Sequence, residues 1–314
     1  MGAVLMGLGA RLEHPDLTPA QPSSAEQERQ HLAILAQRIA NGAATTSATT
    51  SAAASATAST ASDSPLNSTL AADAEEWVTK LGGVWIPWPQ GAPDGYSNPQ
   101  LDLTGISSLA DLSAALWEFS EAAQAFSAGD AAATGAQTPT QQEPPASADS
   151  DSNSTALPTL GLALALSATK HAVTVDHARN APAACPSFTP TQMSTLLISH
   201  PYALWQLESA RQALELKQAN LDADQQPALT AAMDTLAHTV DAGLAAGASD
   251  VRPLLVPPPD SSTTAETIAD SAVAALAPLA ITPEETAALV SFQCQLSLDL
   301  TGYARATNDS ASAE

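Results

Sequence analysis

Residues 227–246 read PALTAAMDTLAHTVDAGLAA. Leu229, Met233, Leu236, Val240 and Leu244 recur every three or four positions, the spacing that lines one face of an α-helix. The same period recurs along the chain. It predicts a helix over about 25–40, with Leu32, Leu35 and Ile39 inward and Ser24 as N-cap. A second covers about 71–81 and stops at Gly82-Gly83. A third covers 107–127, where Leu109, Leu112, Leu116, Phe119 and Ala123 share a face. A fourth, 160–179, is almost wholly apolar through Leu166 and therefore central. Further helices fall over 201–220, 264–279 and 282–305, the last capped by Thr282 with Pro283 in its first position. A shorter one fits 190–198.

Composition agrees. Hydrophobic residues are 45% of the 314, but aromatics are only 4%, and Ala and Leu dominate. Both are strong helix formers, whereas the β-branched and aromatic residues that strands favour are scarce. Alanine buries little area, so the core must come from close helix contacts. The expected fold is all-α, a helical bundle of about eight helices.

Low-complexity tracts divide the chain. Of the 23 residues over 42–64, 21 are Ala, Ser or Thr, too small to offset the entropy of ordering them, so disorder is expected there. Residues 130–155, rich in Pro, Gln and Asp, read as a flexible linker. The expected organisation is a signal-like and loose segment over 1–23, a helical half over 24–180, a second over 181–306, and a loose tail over 307–314. The apolar start MGAVLMGLGA followed by Arg11 has the character of a signal-peptide core lacking its basic flank.

A faint repeat supports two halves. A helix ends at Gly82-Gly83, followed by Val84-Trp85-Ile86-Pro87-Trp88-Pro89, a polar loop and an Ala/Leu helix. Later a helix ends near Gly247, followed by Val251 through Pro257-Pro258-Pro259, a polar loop and another Ala/Leu helix. The alternative is self-similarity produced by alanine-rich sequence alone.

The formal charge is −23, from 33 acidic and 10 basic residues. Such a chain repels nucleic-acid phosphates and anionic lipid surfaces. No apolar run is long enough to span a bilayer. The chain contains no nucleophile elbow, phosphate-binding loop, dinucleotide fingerprint or zinc spacing, so no cofactor is assigned.

Glu28-x-x-His31 lies on the first helix, beside the Leu32, Leu35 and Ile39 stripe. With the helix count and one long crossover per half, this motif resembles ferritin-like helical bundles, in particular the exported ones of high-GC bacteria. The resemblance implies a metal site at Glu28 and His31 and, at its fullest, an oxidoreductase. The sequence departs from it by holding one Glu-x-x-His where a di-metal centre needs two. Glu118, Glu121, Glu208 and Glu215 have no histidine three residues on. His171 and His177 fall on different faces of one helix, and His171 reads as a satisfied boundary histidine. His238, with Asp234 and Asp241, reads as a solvated face.

The segment from Trp85 to Tyr96 gathers Trp85, Trp88 and Tyr96 among three prolines and two glycines. It reads either as a rigid crossover plugging the bundle end or as a surface gripping a partner. Cys185 and Cys294, the only cysteines, are compatible with one long-range disulfide in an extracytoplasmic protein, or with two buried thiols. The function expected from these features is an exported or envelope-associated bacterial protein, secreted or a lipoprotein. It binds or scaffolds without catalysis, its partner an unknown protein or small ligand. The alternative is a ferritin-like metal-binding protein.

Overall fold

The computed structural model describes residues 22–54, 64–135, 156–221 and 226–311. Among them are nine α-helices and no strand. These are α1 (Ser24–Ala54), α2 (Ser64–Lys80), α3 (Leu109–Gly135), α4 (Ala156–Ala178), α5 (Ser194–Ser199), α6 (Pro201–Gln218), α7 (Pro227–Ala245), α8 (Ala265–Leu276) and α9 (Pro283–Ala311). A 3₁₀ turn, Pro190–Met193, leads into α5. None of these helices is long and apolar enough to cross a membrane. The all-α bundle expected from the sequence is the fold.

Helix ends follow local chemistry. At the head of α3, Asp111 Oδ2 accepts from the Ser108 amide at 3.1 Å while Ser108 Oγ accepts from the Asp111 amide at 3.2 Å. Before α9, Thr282 Oγ1 accepts from the Glu285 amide and Glu285 Oε2 accepts from the Thr282 amide, both at 3.1 Å. Each pair satisfies two amides that the helix itself leaves unbonded. At the other end, Gly82 (φ +78°) closes α2 by donating to Thr79 O while Gly83 donates to Val78 O. Gly247 (φ +105°) closes α7 in the same way, donating to Leu244 O while Ala248 donates to Gly243 O. Those left-handed closing positions suit glycine, which has no Cβ to clash.

The packing has a recurring plan. Helix α1 lies against α2 and α3, and α3 against α4; likewise α6 lies against α7 and α8, and α8 against α9. Helix α9 then joins the two sets by packing on α4 and α7. Trp77 stacks on Phe119 with ring centres 4.9 Å apart, and Phe188 meets Phe292 at 5.4 Å. Around them the interior is Leu and Ala. Each fully buried Phe or Leu contributes roughly 1.5–3 kcal/mol, while the small residues let helices approach closely.

That closeness corrects the expectation for the alanine-rich tract. Residues 42–54 continue α1 rather than forming a disordered linker, and Ala43 and Thr46 are buried. The physical reason is Gly42, where an added Cβ would lie 2.3 Å from Ile106 Cγ2, so a crossover residue seats against the helix backbone. Small side chains here permit burial instead of preventing order. Residues 130–135 likewise continue α3, and 307–311 continue α9. The signal-like start, residues 55–63 and residues 136–155 lie outside the described residues.

Candidate functional site

Glu28 and His31 are both exposed and line a surface cavity of about 370 Å³. Its other walls are Gln27 and Leu32 of α1 and Ala122, Ala125 and Phe126 of α3. Helix α3 thus offers alanine and phenylalanine to the motif, where a metal centre needs carboxylates or imidazoles. Among the described residues no group of three or more His, Cys, Asp or Glu side chains is placed to hold a metal ion. Glu118 and Glu121 point to solvent, and Glu208 is committed to an arginine. The di-metal centre implied by the ferritin-like resemblance is not assembled by these residues.

The aromatic crossover is held, and only part of it is covered. Asn98 clamps the backbone of Trp88, accepting from its amide at 3.0 Å and donating to its carbonyl at 2.8 Å. The Trp88 ring meets Tyr96 at 5.3 Å, so this pair stiffens the loop internally. Trp85 and Ile86 instead stand 45% and 43% exposed. The loop does not plug the bundle with both tryptophans.

A clamp at the base of this loop involves residues that the reading of single motifs passed over. Arg29 donates to Glu26 from Nε at 2.7 Å and from Nη2 at 2.5 Å, and Gln30 Nε2 donates to Glu26 Oε1 at 2.9 Å. Gln30 Oε1 then accepts from the Trp85 amide at 2.7 Å. On α6, Arg211 donates to Glu208 from Nε at 2.9 Å and Nη2 at 2.8 Å, and Gln212 Nε2 donates to Glu208 Oε1 at 3.0 Å. Gln212 Nε2 also donates to the Pro253 carbonyl at 2.9 Å. The shared signal is Glu-x-x-Arg-Gln at positions 26–30 and 208–212, legible in the sequence as spacing that places all three side chains on one helix face. The second loop carries its own exposed apolar residues, Leu254 fully and Leu255 at 81%.

Electrostatics follow from these bonds. The Arg29 guanidinium and the Gln30 amide, bonded to Glu26, hold its carboxyl down at about 2. For Glu208, burial pushes upward, but the bonds from Arg211 and Gln212 together outweigh it and the carboxyl lies below its ordinary value.

Two further polar clusters are satisfied within the protein. Asp176, 1% exposed, accepts from Ser113 Oγ, Trp117 Nε1 at 2.9 Å and Arg179 Nε at 2.8 Å. His171 bonds Asp73 at 2.7 Å and tilts against Trp77, a boundary histidine with its partner named. The hydrogen bond from His171 draws the Asp73 carboxyl below its ordinary range. His238 is exposed. Cys185 and Cys294 are disulfide-bonded with Cα atoms 5.7 Å apart, fastening the segment after α4 to the middle of α9.

Comparisons with protein-family models, curated proteins and solved structures found no match.

Proposed function

We propose that this chain is a non-enzymatic, extracytoplasmic bacterial binding protein made of two copies of a four-helix unit. Each copy presents one clamped apolar loop to a protein partner. The observation that carries the reading is the exposure of Leu254 and Leu255 on a loop whose backbone is anchored by Gln212, matched by Trp85 and Ile86 on a loop anchored by Gln30. An apolar side chain held in water by an ordered backbone loses little entropy on binding, the property of a contact residue. The net charge of −23 favours a partner face that is neutral or cationic. The disulfide supports an oxidising compartment.

A photo-cross-linking residue at Leu254, compared with one on the exposed helix face at Glu121, tests the contact in the source organism's envelope. Cross-linking to a discrete protein from position 254 and not from 121 is the expected result. Equal labelling from both positions, or none, would sink the reading. Fractionation decides the compartment: recovery of the oxidised protein outside the cytosol is expected, and a wholly cytosolic, reduced protein overturns it.

A further inference from the structure

A second cavity, of about 360 Å³, lies between α4, α8 and α9, away from both loops. Its volume is more than twice that of an apolar cavity that holds benzene, and it falls within the range of small-molecule sites. The walls are Ala163 and Leu166 of α4 with Val273, Ala274 and Ala277 of α8 and the turn after it. The short side chains of Ala163, Ala274 and Ala277 leave space between α4 and α8 unfilled. The two helices are bridged by an ion pair, Lys170 to Asp270. The remaining polar wall includes Gln293 of α9, only 4% exposed. Its amide nitrogen donates to Ser297 Oγ at 3.0 Å, and its carboxamide oxygen takes no hydrogen bond from the described residues.

We infer that this cavity binds a small, uncharged, mostly apolar molecule that carries one N–H or O–H donor, with Gln293 as its acceptor. The reasons are chemical. The charges at the wall cancel within the Lys170–Asp270 pair, so an anion meets Asp270 and a cation meets Lys170. The protein's field further repels anions. Thr159 and Ser167 also line the cavity, but most of its wall is apolar, so the hydrophobic effect supplies the affinity and Gln293, the buried polar side chain, the orientation. The Gln293 carboxamide oxygen, unbonded among the described residues, is open to a donor on a bound molecule. This site is independent of the loop surfaces, and either can fail without the other.

N-phenyl-1-naphthylamine is a suitable probe, being uncharged, apolar and the bearer of one N–H. Its fluorescence is expected to rise saturably with the wild-type protein. Ala163 and Ala274 are exposed at the rim, so Ala163→Leu combined with Ala274→Leu fills space without entering the core. That double variant is expected to bind the probe at least about tenfold more weakly, with an unchanged melting temperature. Should it fold poorly, Gln293→Met serves: it is expected to weaken the amine probe several-fold and to leave 1-phenylnaphthalene, which lacks the N–H, unaffected. Three results would overturn the inference: no saturable binding by the wild type, undiminished binding by the filled or Gln293→Met variants, or loss of binding on Leu254→Ser. Equal affinity for the anionic 1-anilinonaphthalene-8-sulfonate would overturn its specificity for uncharged molecules.

Discussion

Gln30 of α1 and Gln212 of α6 hold equivalent stations: each lies one residue after an arginine bonded to a glutamate three positions earlier, and each bonds the backbone of the crossover after the next helix. The two clamps differ in direction, Gln30 accepting from the Trp85 amide and Gln212 donating to the Pro253 carbonyl, and also in their arginines. Arg211 Nη1 reaches Glu215 at 3.2 Å, whereas Arg29 Nη1 has no partner among the described residues and faces Gly82, where an added Cβ would sit 3.0 Å away.

The first clamp is sensitive to acid. The Glu26 carboxyl is held at about 2 in the folded protein, below its ordinary 4.5, so its stabilisation is fully present above about pH 4.5. It is lost as the pH falls through about 2. Glu26→Gln is expected to lower the melting temperature near neutrality by a small amount, since the pair is partly solvated. The difference from wild type should vanish at the acid end of a series of thermal melts. A difference that persists unchanged at about pH 2 contradicts the assignment.

The disulfide closes 109 residues of chain separation. Disulfides typically stabilise by about 2–4 kcal/mol, mainly by restricting the unfolded chain, and a loop this long lies toward the upper end. Cys185→Ser with Cys294→Ser is expected to cost that much in urea melts. Cys294 is fully buried, so reduction of the native protein should be slow and should accelerate once denaturant is added. Intact mass before and after reduction, differing by about two daltons, counts the bond.

Gly161 sits where α4 meets α3. An added Cβ would lie 2.9 Å from Ala123 O and 3.0 Å from Ser127 N, both backbone atoms that cannot swing aside. Helix propensity alone favours alanine by about 1 kcal/mol. Overpacking a tight contact costs about 1–3 kcal/mol, so Gly161→Ala is expected to destabilise on balance. A stabilised variant would show that the two helices separate freely.

Asp176 is the most deeply buried carboxylate among the described residues. Asp176→Ala strands the donors of Ser113 and Trp117 and removes the partner of Arg179. The expected loss is about 3–5 kcal/mol by chemical denaturation, far above that of a surface carboxylate such as Glu76. Asp176→Asn, which keeps the shape, should recover part of it.

The fold was legible because its signals are local. Leu229, Leu236 and Val240 are buried at the spacing read from the sequence, Thr282 starts α9 through its hydroxyl, and Gly82 closes α2 because it lacks a Cβ. The path of 42–54 was not legible, because composition reports what alanine, serine and threonine bury alone, and not that Ile106 fits against Gly42. Glu28 and His31 shared a face as spacing required, but spacing within one helix says nothing of what α3 places opposite them. The paired clamps were written in the sequence at 26–30 and 208–212. An arginine–glutamate pair on one helix is commonplace, and only the fold brings the adjoining glutamine to a loop. The cavity beside Gln293 depends on three helices at once and leaves no trace in any one of them.

The bond between Cys185 and Cys294 also has a mechanical meaning. Tension applied to the chain outside these two cysteines passes through the sulfur bridge, and the residues between them carry none of it. Helices α5 to α8 and the Leu254 loop therefore lie in a covalently shielded ring. A protease that cuts within the ring leaves one molecule rather than two, until a reductant opens it.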